Sequence, residues 1–360
     1  MLEPVDFCHL TGFDTDNLAE AFAAFQRSAR HFRIGCESLR AARPLPPEMP
    51  AIYAAALATG GLDTVAARNF FAKHFTPFRV NTPNSGFLTG YYEPVVAASR
   101  TPDADFAAPI YARPPDLLTL THPVVELGDL AAARQNPDGS LSPYPKRAQI
   151  EAEASQLGLQ PVVYLRDLVE VFLIQVQGSA RVQLPDGQSI RLRYDGRNGH
   201  AYTSIGRLLI KQGAIKPEDM SLAALKAWLR ARGLKPGEAG RTLMQRNESY
   251  VFFTADITFD LDSGPIGGEG VPLTPLRSLA VDRSLWNYGL PFWIEANLPW
   301  RQHSAPESFA RLMIAQDTGS AIIGAARGDL FFGSGENAGT LAGNIRHPAS
   351  FTVLMPKSSA

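Results

Sequence analysis

Cysteine is nearly absent from this chain: Cys8 and Cys36 are the only two in 360 residues. Two thiols far apart in sequence form neither a metal-ligand pattern nor a disulfide framework, and sequence alone assigns no bridge between them. Histidine is sparse and scattered, with seven residues and no H-E-x-x-H pair, so metal catalysis has no ligand set and no metal is expected. No G-x-S-x-G elbow offers a serine nucleophile. The glycine-rich run Gly264–Gly270 lacks the Lys-Ser/Thr of a phosphate loop and reads as a turn. Charged residues make up 19% and the formal net charge is -1, which argues against nucleic acid or anionic membranes as partners. With 45% hydrophobic residues the chain is also no candidate for disorder. No segment reaches the roughly 18 apolar residues of a membrane span. Met1–Asp6 is acidic and lacks an apolar run, so it is not a secretory leader. A cytosolic chain and one that begins after an export signal both fit it.

What is present points to a folded protein with many short strands. At 39.1 kDa two domains are the default, and 28 prolines with 30 glycines suit strands and turns better than long helices. The first eighty residues read helical. Asp14, Asp16 and Asn17 offer caps before Leu18, Ala21, Phe22, Phe25, Ala29 and Phe32 recur at helical spacing. A second helix is expected over Glu48–Ala58 and a third after the Asp63 cap. From Phe78 the pattern turns to β, with the aromatic and β-branched run Phe87–Val96. Arg147–Leu157, Ser204–Gln212 and Leu222–Arg232 read as helices. Val169–Ser179 reads as a strand that ends in polar residues, and Pro185-Asp186-Gly187 marks a hairpin. Tyr250–Phe253, Leu290–Ile294, Arg311–Gln316, Asp329–Gly333 and Phe351–Leu354 read as strands. No internal repeat is evident. The order is β, a distinct middle block, then β. One β domain split by an insertion is therefore expected, with a cleft between the two bodies where a ligand could lie.

The most informative stretch is Met313–Gly335. It carries Asp317 and Asp329 in a strand–turn–strand pattern with Arg327 as its lone base nearby, and Asp329 runs directly into Leu330-Phe331-Phe332. A carboxyl held against apolar side chains has its charged form disfavoured, so it can keep a proton near neutrality and give it away. The plainer expectation for Asp before Gly or Thr is turn capping.

Two acid chemistries compete. Asp317-Thr318-Gly319-Ser320 matches the tetrad of aspartic proteases, and Asp262-Ser263-Gly264 imitates a second copy. The copies sit too near in sequence for two lobes, and polar Gln316 precedes the first. The alternative is cleavage of a sugar chain. Tyr91, Tyr92, Tyr194, Tyr202 and the Trp286/Tyr288 pair offer faces for sugar rings. Thr89, Gln175, Gln177, Ser179, Asn198 and Ser204 offer amides and hydroxyls, with the Gln175–Ser179 cluster at the expected strand end the most suggestive.

Six runs in order resemble the lytic murein transglycosylase A family. They are Thr89–Pro94, Gln175–Ser179, Tyr194–Gly206, Val281–Ser284, Asp317–Ile322 and Gly328–Gly333. The resemblance covers about residues 85–355. It implies a mainly β protein with an α-helical N-terminal part, in which a double-psi β-barrel domain is split by an inserted smaller β-rich domain. The barrel domain would comprise 1–98 and 245–360, with a three-aspartate region at 250–356, and the insert 99–244. A groove between them would hold a peptidoglycan glycan strand. The implied activity is non-hydrolytic cleavage between N-acetylmuramic acid and N-acetylglucosamine to leave 1,6-anhydro ends, without a cofactor. Asp329 maps onto the single acid/base, with Asp317 and Asp282 supporting it. Thr89, Tyr91, Tyr92, Glu93, Gln175, Gln177, Gly178, Ser179, Asn198, His200, Tyr202 and Ser204 would contact substrate. A glycan-binding protein without activity on the same scaffold is the rival. The implied substrate places the protein in the periplasm, with outer-membrane association open because Cys8 lacks the small residues of a lipoprotein site. Cell-wall synthesis or hydrolysis proteins are candidate partners, and a monomer is expected.

Overall fold

The computed structural model describes residues 1–358 apart from Asn84, Thr121, Pro123, His303 and Ser304. The chain divides into two compact units, Met1–Tyr92 with Leu261–Ala360, and Glu93–Asp260. Nine α-helices and mixed sheets lie among the described residues.

The first unit opens with helices at Leu18–Arg33, Met49–Ala58 and Thr64–His74. The Asp63 side chain accepts from the Ala66 amide at 2.8 Å, satisfying one of the unpaired donors at the start of the third helix. Leu18, Ala21, Phe22, Phe25 and Ala29 form one buried stripe. With Phe70, Phe71 and Phe75 they pack on Trp293, Leu312, Ile314 and Leu354 of the sheet. A buried ion pair fixes the entry to the first helix. Arg277 grips Asp16 through two bonds of 2.7 and 2.8 Å, and Asp16 also accepts from the Leu312 amide at 2.9 Å.

Eight strands share one sheet, in the order Leu2–Pro4, Phe75–Val80, Arg346–Pro356, Pro291–Leu298, Glu307–Asp317, Ser278–Val281, Arg327–Ser334 and Gly86–Glu93. Arg346–Pro356 is long enough to serve two neighbours. Its C-terminal half pairs with Phe75–Val80 and its N-terminal half with Gly86–Glu93. The last six strands of that order therefore close into a ring, which leaves them no free edge. A methyl group on Gly328 would come within 2.9 Å of Leu279, 3.0 Å of Phe351 and 3.2 Å of Leu88, so this position is restricted to glycine by packing. Side chains alternate along a strand, so Asp329 points to the face opposite Gly328 and Leu330.

The second unit holds a four-stranded sheet in the order Val251–Asp256, Ser189–Arg197, Ser179–Gln183, Val95–Ala97, together with smaller two- and three-stranded sheets and five helices among its described residues. The expected strand over Val169–Ser179 is instead the helix Leu168–Gln177. Asp167 caps it by accepting from the Glu170 amide at 2.9 Å, and Gly178 ends it in the left-handed region at φ 84°. The helix is buried on most sides, so its apolar residues run continuously and hide the helical period. The two terminal signals were the usable ones. Two further helices, Ala239–Gln245 and Glu336–Gly343, lie where no helix was expected.

Candidate active site

Strand register assembles the three aspartates. Ala280 pairs with Asp317 on one side and with Asp329 on the other. Laterally paired residues share a face, so both aspartates flank the Ala280 methyl, and two strand spacings set their Cα atoms roughly 9–10 Å apart. Asp282 follows two residues beyond Ala280. Thr89 and Tyr91, from Gly86–Glu93, complete the cluster.

Each carboxyl has different company. One oxygen of Asp317 accepts from the Gly268 amide at 2.7 Å and the Thr318 amide at 2.8 Å, and the other accepts from the Tyr91 hydroxyl at 2.8 Å. Asp282 accepts from the Ser284 amide and hydroxyl at 3.0 and 2.6 Å and from the Gly324 amide at 2.7 Å. Asp317 thus caps a turn, the plainer expectation for it and for Asp329, and Asp282 caps one as well. Asp329 does not. Its Oδ1 accepts from the Thr89 hydroxyl at 2.6 Å, and no backbone amide among the described residues reaches it.

The Thr89 hydroxyl is itself aligned by charge. Arg327 Nη2 donates to it at 2.7 Å, so the threonine proton is committed to Asp329 Oδ1. The other carboxyl oxygen, Oδ2, is the one left to carry a proton. Burial pushes the Asp329 carboxyl up to about 6, against the lowering influence of Arg327 and the Thr89 bond, with the charge of Asp317 adding a small rise. The Tyr91 hydroxyl is held well above its usual range, first by burial and then by the neighbouring Asp317 charge, so it acts as a donor only. Its ring lies 5.3 Å from that of Phe331. A cavity of about 470 Å³ is lined by Asp282, Arg283, Ser284, Thr318, Ser320 and Ile322 among others.

The geometry does not suit an aspartic dyad, which needs two carboxyls sharing a proton about 3 Å apart. Asp317 is engaged by its own donors, and Asp262 lies in an exposed turn.

Only part of the expected substrate set joins this cluster. Tyr92 is buried against the Glu336–Gly343 helix, where a methyl on Gly339 would meet its ring at 2.7 Å. Trp286 is buried too, its indole donating to the Ala325 carbonyl at 3.0 Å. Tyr288 is 5% exposed; neither ring is an open sugar platform. In the second unit Glu93 is fully buried and paired with Arg191 at 2.7 Å. Gln175 is gripped by Arg147 at 2.6 Å and donates to the Val251 carbonyl at 3.1 Å. Asn198 spans three backbone groups, those of Pro145, Glu248 and Tyr250, at 2.8 to 2.9 Å. His200 bonds the Tyr144 carbonyl at 2.7 Å, and Ser204 caps a helix through the Arg207 amide at 3.3 Å. These groups brace the unit's fold, and Glu93, Gln175 and Asn198, which were expected to face a sugar, are buried among these protein partners. Gln177, Ser179 and Tyr202 are partly buried, and Gly178 is the helix terminator.

Sequence reasoning missed Arg327 as a site residue, although it had singled it out as the lone nearby base. It also passed over Gly268 as part of an ordinary turn. The available signal was the density of glycine in Gly264–Gly270. A methyl on Gly267 would come within 2.6 Å of the Gln316 carbonyl, and one on Gly268 within 2.6 Å of the Tyr288 hydroxyl. Only a side-chain-free turn can press its amide onto Asp317.

Comparison with known proteins bears on this arrangement. Residues 87–254 match the MltA specific insert domain and 277–355 match the 3D domain. The membrane-bound lytic murein transglycosylase A of Escherichia coli (strain K12) is 34% identical over 271 residues, 74% of this chain and 65% of that protein. The Vibrio cholerae protein of the same name is 33% identical over 271 residues, 72% of this chain and 62% of that one. The matched stretch thus spans just under two thirds of these curated relatives. Among solved structures, a membrane-bound lytic murein transglycosylase from Agrobacterium tumefaciens superposes with a TM-score of 0.87 at 35% identity, over 99% of this chain and 97% of that one. Escherichia coli MltA with bound chitohexaose superposes with a TM-score of 0.66 at 27% identity, over 100% and 92% of the two chains.

Proposed function

The chain belongs to the membrane-bound lytic murein transglycosylase A family, and on that premise we propose that it is a peptidoglycan lytic transglycosylase with Asp329 as its single acid/base. The observation that carries this is the contrast among the aspartates: two are held by backbone amides, while Asp329 is half-buried, bonded by one hydroxyl, and pushed up to about 6 by desolvation. A carboxyl of that kind can start the reaction protonated and finish it ionised near neutrality.

In the proposed cycle the Asp329 proton passes to the oxygen bridging N-acetylmuramic acid and N-acetylglucosamine. The C1–O bond breaks and an oxocarbenium-like centre forms at the muramic C1. The carboxylate then takes the proton of the C6 hydroxyl on the same sugar, O6 bonds to C1, and a 1,6-anhydro ring remains. Water takes no part, so no second carboxylate is needed to activate it. The intramolecular hydroxyl supplies a large effective concentration. Asp317 and Asp282 keep the local field negative, which favours the cation at C1.

The closed six-strand ring supports reading the first unit as a double-psi β-barrel. Of the expected sugar contacts, Thr89, Tyr91, Gln177, Gly178, Ser179, Tyr202 and Ser204 keep accessible surface. A peptidoglycan substrate implies work in the periplasm, by a monomer acting on glycan strands.

Digestion of purified peptidoglycan followed by mass spectrometry tests the proposal. Products lighter than hydrolysis products by one water are expected. Asp329→Asn should abolish them and leave glycan binding near its original level. Products of hydrolytic mass, cut peptides, or full turnover by that variant would refute the assignment. Binding without any product from the unaltered protein would favour a non-catalytic glycan-binding role.

A further inference from the structure

Beneath Asp317 lies a second carboxyl that the cycle above does not use. Glu269 is 5% exposed and sits in the turn whose preceding residue, Gly268, donates its amide to Asp317 at 2.7 Å. The Glu269 amide donates to the Gln316 carbonyl at 3.1 Å. Its side chain accepts from the Ser28 hydroxyl at 2.7 Å. Ser28 in turn accepts from Gln316 Nε2 at 3.0 Å, and the same nitrogen reaches the Ala24 carbonyl at 2.9 Å. Ser278 donates to Gln316 Oε1 at 2.6 Å. One chain of bonds thus joins the first helix, the Gly267–Gly270 turn and two strands of the ring directly under an aspartate of the site.

We propose that Glu269 is a positioning residue for Asp317, anchoring the Gly267–Gly270 turn to the first helix so that the Gly268 amide stays on the Asp317 carboxylate. The proposal rests on the transglycosylase reading for its consequence in activity, though not for its geometry.

The surroundings of Glu269 favour its neutral form. The Tyr53 hydroxyl on the second helix and the Tyr288 hydroxyl both sense its charge, and His31 on the first helix abuts Gly270. Arg40 binds the turn through its backbone, donating to the Gly268 carbonyl at 3.0 Å, and its side chain reaches the Thr318 carbonyl at 2.9 Å. Burial is the main influence on the Glu269 carboxyl and pushes it up to about 8, opposed only by Ser28. Above that pH a buried negative charge would sit one turn from the Asp317 carboxylate, with its solvation lost, and the turn would be driven outward.

Two ionisations then shape the alkaline side of the rate profile. Loss of the Asp329 proton alone gives a log-rate slope of about one per pH unit, and loss of the Glu269 proton as well gives about two above pH 8. Glu269→Gln keeps the acceptor for Ser28 and cannot ionise, so its slope should stay at about one. Glu269→Ala should lower kcat about tenfold or more with KM little changed, and Glu269→Gln should restore most of that loss at pH 6. A second readout is independent of catalysis. The backbone amide resonance of Gly268 should titrate with a midpoint near 8 in the unaltered protein and be flat in Glu269→Gln. A slope of two persisting in Glu269→Gln, or a Gly268 resonance that does not titrate in the unaltered protein, overturns the proposal. Absence of anhydro products with a titrating Gly268 resonance would instead overturn the functional reading and leave the positioning geometry standing.

Discussion

Removing the Thr89 hydroxyl tests the electrostatics of the site more sharply than removing Asp329 itself. In Thr89→Val the shape is nearly conserved, but the bond to Asp329 Oδ1 at 2.6 Å is lost, and Arg327 Nη2 loses its acceptor at 2.7 Å. That bond favours the ionised carboxyl, so its loss must raise the Asp329 pKa. A hydrogen bond to a charged group contributes about 1.5–3 kcal/mol, equivalent to about one to two pH units. From a starting point of about 6, the alkaline limb of kcat/KM should move up by that amount. At pH 8 the variant would hold the reactive proton roughly ten times more often than the unaltered protein. At the optimum the carboxyl is less well oriented, and a loss of roughly tenfold is expected there. The two effects oppose each other, so the relative activity of the variant should rise steadily from pH 5 to pH 9. The assay is release of soluble fragments from purified peptidoglycan across that range. A limb that stays in place, or moves to lower pH, would show that the Thr89–Arg327 pair does not set the proton on Asp329.

Asp317→Asn and Asp282→Asn should slow turnover less than Asp329→Asn does, and Asp317→Asn should also lower the melting temperature because the Gly268 and Thr318 amides lose a charged acceptor. Thermal denaturation alongside the peptidoglycan digest checks both. Asp329→Asn should stabilise the fold at neutral pH, because burying the charged carboxyl is unfavourable. The folded value of about 6 exceeds the ordinary 3.8, so the unaltered protein loses stability as pH rises from about 4 to about 6, by about 3 kcal/mol at most. A variant no more stable at pH 7 than at pH 4, relative to the unaltered protein, would contradict the burial of that charge.

Much of the first unit was legible because its signals are local. The helix starting at Leu18 follows from apolar spacing, and the one starting at Thr64 from its Asp63 cap. The position of Asp329 inside a strand follows from the apolar residues after it. What was not legible depends on long-range register. Nothing near Ala280 in sequence says that it lies between Asp317 and Asp329, and nothing near Thr89 reveals Arg327 behind its hydroxyl. In the second unit the sequence misled for a different reason. Gln175 and Asn198 are amides in an apolar context, which reads equally as a ligand contact or as a buried brace. Their partners in the fold are a buried arginine and main-chain carbonyls well separated in sequence. A polar side chain's partners decide its role, and those are set by tertiary structure.

The same logic explains how three identical side chains on one sheet come to differ. Asp317 and Asp282 each accept two backbone amide bonds, which fix where their carboxyl groups lie. Asp329 faces the opposite balance, since its strand neighbours spend their amides within the sheet and leave it one hydroxyl. Burial is what raises its hold on the proton, opposed by Arg327 and the Thr89 hydroxyl, and the two neighbouring aspartates, tied to their own donors, can act on a developing cation. Dividing the work in this way needs the glycine turn at Gly267–Gly270 as much as it needs the aspartates, because the turn supplies the amide that holds the Asp317 carboxyl in place.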